Sequence, residues 1–173
     1  AGILKDDQLG VAAGSAARMG MSVDQALEGI EGIVNESNAA TGAQINLKNV
    51  IHDTHKISGQ IRAQMGGNVM EISKAVVKAK ALGFELEQIA NAGKSLLDFE
   101  SSINAELEAE LLTGKQLNLE RARLAALTGD YETLTAEIAA NVGDFADFSK
   151  LNVLQQESIA KAVGMTADEL SNA

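Results

Sequence analysis

Apolar side chains return every three or four positions along most of this chain. Leu47, Val50, Thr54, Ile57, Ile61, Met65, Val69, Ile72, Val76 and Ala79 follow one another at that spacing, about nine turns of a single amphipathic helix. Gly59 and the pair Gly66-Gly67 lie inside it, and each costs about 1 kcal/mol against alanine, so a kink or break is expected near Gly66. A second stripe runs through Leu86, Ile89, Gly93, Leu96, Ile103, Leu107 and Leu111 and stops at Thr113-Gly114-Lys115. Shorter helices follow. One covers about 117–128, and the next is capped by Asp130, with Tyr131, Leu134, Ile138 and Val142 inside. Phe145, Phe148, Leu151 and Leu154 lead into a helix that ends at Val163-Gly164, and a last short one starts after Thr166. No stretch alternates with period two in β-branched residues, so no strand is expected.

One phrase recurs at the joints between helices: Gly20-Met21-Ser22-Val23-Asp24-Gln25, Gly83-Phe84-Glu85-Leu86-Glu87-Gln88 and Gly164-Met165-Thr166-Ala167-Asp168-Glu169. The glycine closes one helix in a left-handed conformation. The Met or Phe acts as a hydrophobic staple, and Ser22 or Thr166 caps the next helix with Gln25 or Glu169 three residues on. Glu85 replaces the hydroxyl in the middle copy, which predicts a weaker cap there. The copies are unequally spaced, so they are helix–turn–helix joints and not a repeat array.

Composition sharpens this reading. The 173 residues contain no proline, where average usage would supply roughly eight or nine. The strongest helix breaker is therefore missing. Cysteine is absent too, which removes disulfides and thiolate chemistry. The five aromatics are Phe84, Phe99, Tyr131, Phe145 and Phe148, and residues 1–83 have none. Large aromatic side chains supply much of a compact core. The expected organisation is therefore all-α: residues 1–81 form an extended, partner-dependent helical arm, and residues 82–173 a small compact helical domain.

The net charge of −10 argues against sequence-specific or charge-driven nucleic-acid binding. No run of apolar residues is long enough to span a membrane. Acidic residues come too early for a signal peptide and no initiator Met is present, so the chain reads as a processed product or a window of a longer protein. Charge is segmented: −4 over 1–45, +4 over 46–80, −6 over 85–112, +2 over 113–129 and −6 over 130–173. A basic helix, a tight joint and an acidic helix are compatible with an antiparallel hairpin of complementary sides, or with two independently solvated faces.

Chemically suggestive groups are few. His52 and His55 in His52-Asp53-Thr54-His55 share a helix face and could contribute to a divalent metal site. The HExxH general base is missing, no third ligand is apparent, and no Glu-x-x-His di-iron motif occurs. Two solvent-facing histidines are expected instead. Glu106, Glu108 and Glu110 look like a carboxylate cluster, but spacing by two turns Glu108 away from the other pair. Glu106 and Glu110 are mildly repelling neighbours, and a solvated face is expected. Thr113-Gly114-Lys115 only superficially resembles a fragment of a phosphate loop, since the upstream glycine is missing and a helix precedes it. No catalytic, cofactor-binding or metal residue is assigned, and the chain is not expected to be an enzyme.

Several phrases read together carry a family resemblance. They are Leu82-Gly83-Phe84-Glu85-Leu86-Glu87-Gln88-Ile89, Leu97-Asp98-Phe99-Glu100-Ser101-Ser102-Ile103, the run from Glu106 to Lys115, Asn118-Leu119-Glu120-Arg121-Ala122-Arg123, the run from Phe148 to Glu157, and Lys161-Ala162-Val163-Gly164-Met165-Thr166. In these, about 82–173 resembles the tail tape measure proteins of long-tailed bacteriophages. The resemblance implies a virion structural protein inside the tail tube or at its end, present in the host cytoplasm during assembly. It implies roles in tail length determination, tail assembly and genome ejection. It also implies a parallel homo-oligomer, a trimer favoured, touching tail tube and tail tip or baseplate proteins, with no cofactor. The residue pattern alone leaves an alternative: a cytoplasmic helical adaptor or signalling module that binds partner helices.

The histidines should be dispensable. His52→Ala combined with His55→Ala should leave urea stability unchanged within about 0.5 kcal/mol, the usual range for surface changes. Stoichiometric zinc in carefully prepared protein would overturn that assignment.

Overall fold

The computed structural model describes residues 23–57, 59–66, 68–143 and 145–172. Every regular element among them is a helix, covering 78% of the described residues, and no strand occurs among them. The chain divides into two compact units, 1–81 and 82–173.

In the first unit, α1 (Val23–Thr41), α2 (Leu47–Lys56), α3 (Gly59–Gln64) and α4 (Val69–Ala81) follow in order. α4 packs against both α1 and α2. Ala26, Ile30 and Val34 form the buried stripe of α1, and Val50, Ile51 and Thr54 that of α2. The single helix expected over 46–81 is therefore corrected to three, with one break near Gly66, where it was anticipated, and one before Gly59, where it was not. Local hydrogen bonds explain both. Arg62 Nη2 donates to the Thr54 carbonyl at 3.0 Å, closing the C-terminal end of α2. Asn68 Oδ1 accepts from the Met70 and Glu71 amides, starting α4 afresh, while Gly66 adopts φ +68°. An ion pair between Lys80 and Asp53 fastens the end of α4 to α2. Between α1 and α2, Asn38 clamps the loop by accepting from the Ile45 amide at 2.9 Å and donating to its carbonyl at 3.0 Å.

The second unit contains α5 (Leu86–Leu96), α6 (Phe99–Thr113), α7 (Glu120–Thr128), α8 (Tyr131–Val142), α9 (Phe145–Ser149), α10 (Val153–Ala162) and α11 (Ala167–Ser171). α5 touches α6, α7 and α8, and α10 packs on α6 and α11. The stripe read as one helix from 86 to 111 is corrected to two. Asp98 accepts from the Ser101 amide and hydroxyl, at 3.4 and 3.1 Å, and so begins α6 as a new helix. The break also changes the buried face. Leu86, Ile89, Gly93 and Leu96 are buried on α5, but α6 buries Ser102, Ala105 and Ala109 and turns Ile103, Leu107 and Leu111 to solvent.

Of the recurring joints, the one at Gly20–Ser22 lies outside the described residues. The Gly83 joint closes more firmly than its sequence suggests, because the Gln88 side chain accepts from the Glu85 amide at 2.9 Å. At the third, Thr166 Oγ1 accepts from the Glu169 amide at 3.2 Å. Here the backbones come very close: a Cβ on Gly164 would lie 2.6 Å from the Ala92 carbonyl oxygen and 2.9 Å from its Cα. α5 is also crowded at Gly93, where a Cβ would meet Leu134 at 3.0 Å and Ala126 at 3.4 Å. Tyr131, Leu134 and Ile138 of α8 complete this core, and burial pushes the Tyr131 phenol above its ordinary pKa of 10.0.

Gly164→Ala combines a left-handed backbone, φ +79°, with a clash against rigid backbone, and should cost more than about 3 kcal/mol in urea denaturation. Gly114→Ala has the same backbone demand, φ +68°, but open space around it, and should cost about 1–2 kcal/mol. Equal losses would show that the contact with Ala92 is unimportant.

Candidate functional site

Of the three chemical candidates of the sequence, one lies in the first unit and two in the second. His52 is half-buried and its Nδ1 lies 3.4 Å from Asp53 Oδ1, while His55 is exposed. Asp53 is held by Lys80. Among the described residues, no group of three or more His, Cys, Asp or Glu side chains could hold a metal ion.

The acidic cluster is the larger surprise. Glu108 is exposed, but Glu106 and Glu110 are not on a solvated face. Both are half-buried and turned toward the loop 114–119, which has no regular structure. Leu117 and Leu119 bury their side chains there, which draws the backbone inward and away from water. Its amides must then find acceptors within the protein. Three consecutive amides do so on side chains: Leu117 N donates to Glu110 Oε1 at 2.9 Å, Asn118 N to Asn141 Oδ1 at 2.8 Å, and Leu119 N to Glu106 Oε1 at 3.3 Å. Asn141 Nδ2 returns a hydrogen bond to the Asn118 carbonyl at 2.9 Å and another to Glu137 O at 2.8 Å. The second oxygen of Glu106 pairs with Arg123, whose Nε donates to Ser102 Oγ at 3.0 Å. Both members of that ion pair are largely buried, with side chains 11% and 14% exposed.

Lys115 of the Thr113-Gly114-Lys115 phrase has a structural task as well. Its Nζ donates to the Val142 carbonyl at 2.9 Å, at the C-terminal end of α8. These carboxylates, amide and cations hold one another and the loop, so none is left as an acid, a base or an anion cradle. The sequence held one clue to this: Glu106 and Glu110 stand on one face of a helix that stops just before a loop rich in unpaired backbone.

Two clefts lie in the second unit. One, of about 160 Å³, is lined by Leu82, Phe84, Val142, Phe148 and Leu170, with no titratable group in its wall among the described residues. The other, of about 370 Å³, is lined by Asp98, Ser101, Lys161, Thr166 and Glu169 among others. Its polar groups are largely engaged with each other: Ser101 Oγ donates to Asp98 Oδ2, and Thr166 Oγ1 to Glu169 Oε1. Among the described residues, no histidine or cysteine lines it.

No family model, no curated protein and no solved structure matches this chain.

Removing a member of the loop clamp should be costly. Arg123→Ala leaves a largely buried carboxylate without its cation and should lose about 3 kcal/mol. Asn141→Ala orphans the Asn118 amide and carbonyl and should lose about 2 kcal/mol. Urea denaturation of both variants, with a Glu106→Gln/Arg123→Met double-mutant cycle, measures these losses. A coupling below about 0.5 kcal/mol would show that the ion pair is inert.

Proposed function

We propose that this chain is a non-enzymatic structural segment of a phage tail tape measure protein, lying inside the tail tube or at its end and serving tail length determination, tail assembly and DNA ejection. The observation that supports it best is a wholly helical set of described residues whose suggestive polar side chains are spent on holding the fold. The sequence phrases of 82–173 supply the specific likeness. In this reading 82–173 is the compact domain and 1–81 the partner-dependent arm, through which copies associate in parallel, as a trimer, among tube and tip proteins.

The folded form of 46–81 is not itself a ruler, because α4 lies back against α2. The apolar stripe nevertheless keeps its spacing of three and four across both breaks. Straightening at those breaks when copies associate would give the extended arm a continuous apolar seam.

A second reading is favoured by the exposed apolar residues of α6: a helical adaptor that binds partner helices in the cytoplasm.

Mass spectrometry of purified virions should locate the polypeptide in the tail. Deleting 18 residues within 46–81, about five turns, should then shorten the tail by about 27 Å in electron micrographs. Full-length tails would mean that 46–81 stays folded back and does not measure. A chain that is missing from virions and monomeric in solution would reject the tape-measure reading in favour of the adaptor.

A further inference from the structure

A line of large apolar side chains runs along the outward side of α6. Phe99, Ile103, Leu107 and Leu111 are 48%, 46%, 52% and 87% exposed. They recur every fourth residue, so they form one stripe that winds slowly round the helix over about 18 Å. A run of large apolar side chains on one surface, unlike scattered single ones, marks an interaction site. The charged residues of α6 itself are all acidic. Glu100 and Glu108 are exposed and border the stripe, and α6 has no lysine or arginine. On its other side, Glu106 and Glu110 are committed to Arg123 and the loop amides. Nor does the rest of the unit neutralise this acidity. Residues 1–81 carry a net charge of zero, so the whole −10 belongs to 82–173.

We infer that this face of α6 docks an amphipathic helix of a partner protein whose apolar stripe is bordered by lysine or arginine. Burial of the stripe drives the association, and the free carboxylates select the partner and its orientation. A second copy of this chain is a poor occupant. Two such faces would bring Glu100 and Glu108 of both copies together with no cation on either α6 to separate them. The face would accept such a helix whether or not the chain belongs to a phage tail.

The test uses the full chain and a fluorescent helical peptide of about 15 residues, matching α6 in length, with leucine at every third or fourth position and lysine at the borders. A control peptide carries glutamate in place of lysine. Anisotropy should show saturable binding of the lysine peptide alone, weakening as salt rises from about 0.05 M to about 0.5 M. Ile103→Gln/Leu107→Gln should weaken it at least about tenfold, with circular dichroism unchanged. Glu100→Lys/Glu108→Lys, at exposed positions, should weaken the lysine peptide at least about tenfold and gain binding of the glutamate peptide. That reversal is something general acidity cannot produce. The inference is overturned if the lysine peptide does not bind, or if it binds the wild type and the charge-reversed variant alike. It is also overturned if sedimentation equilibrium shows a self-associated wild type that Ile103→Gln/Leu107→Gln converts to monomer, since the face is then filled by a second copy.

Discussion

The backbone of residues 117–119 has to be satisfied without a helix or a strand, and much of the second unit is arranged around that requirement. Leu117 and Leu119 bury their side chains, so the intervening amides leave water and need acceptors. Glu106 and Glu110 of α6 and Asn141 of α8 provide them. That fixes the rotation of α6 about its axis: carboxylates toward the loop, Ser102, Ala105 and Ala109 into the packed face. The large apolar residues of the same helix are left facing outward. A local problem of hydrogen bonding thus decides which surface the unit presents.

Small residues settle the rest of the packing. α5 meets α7 and α8 at Gly93 and the turn before α11 at Ala92, close enough that a methyl group at Gly164 would collide with backbone and one at Gly93 would press on the Leu134 side chain. Such proximity gains dispersion contacts along whole backbones, and it explains how a chain with five aromatics and no tryptophan fills a core. The first unit uses a device also seen in the second. Asn38 grips both polar groups of Ile45, as Asn141 grips those of Asn118. In each case an amide side chain pairs with an irregular segment as a neighbouring strand would.

The helical class was legible because period and composition agreed, and because glycines stand where helices end. Helix number was less legible. The stripe from Leu47 to Ala79 stays in phase across Arg62 and Asn68, and periodicity cannot register that one side chain caps an end while another starts a helix. Asp98 with Ser101 was a readable start signal, masked by the leucines and isoleucines that continue past it. Glu106 and Glu110 were misjudged for another reason. Spacing shows that two carboxylates share a face, but not that a loop 7 to 13 residues further on will lean against it. Contacts such as Asn141 to Asn118, 23 positions apart, leave no local trace at all.

The short α3 has a mechanical consequence. Six residues are too few to be stable as an isolated helix, for which about 12–15 are marginal. It persists here between two returns of the chain, one held by Arg62 and the other shaped by Gly66. If the chain is pulled lengthwise, α4 must be stripped from α1 and α2, so their buried apolar packing resists together with the Lys80–Asp53 pair. The segment would then lengthen by reorienting intact helices and shorten again when released. Its compliance under load is set by that apolar packing, two turns and one ion pair.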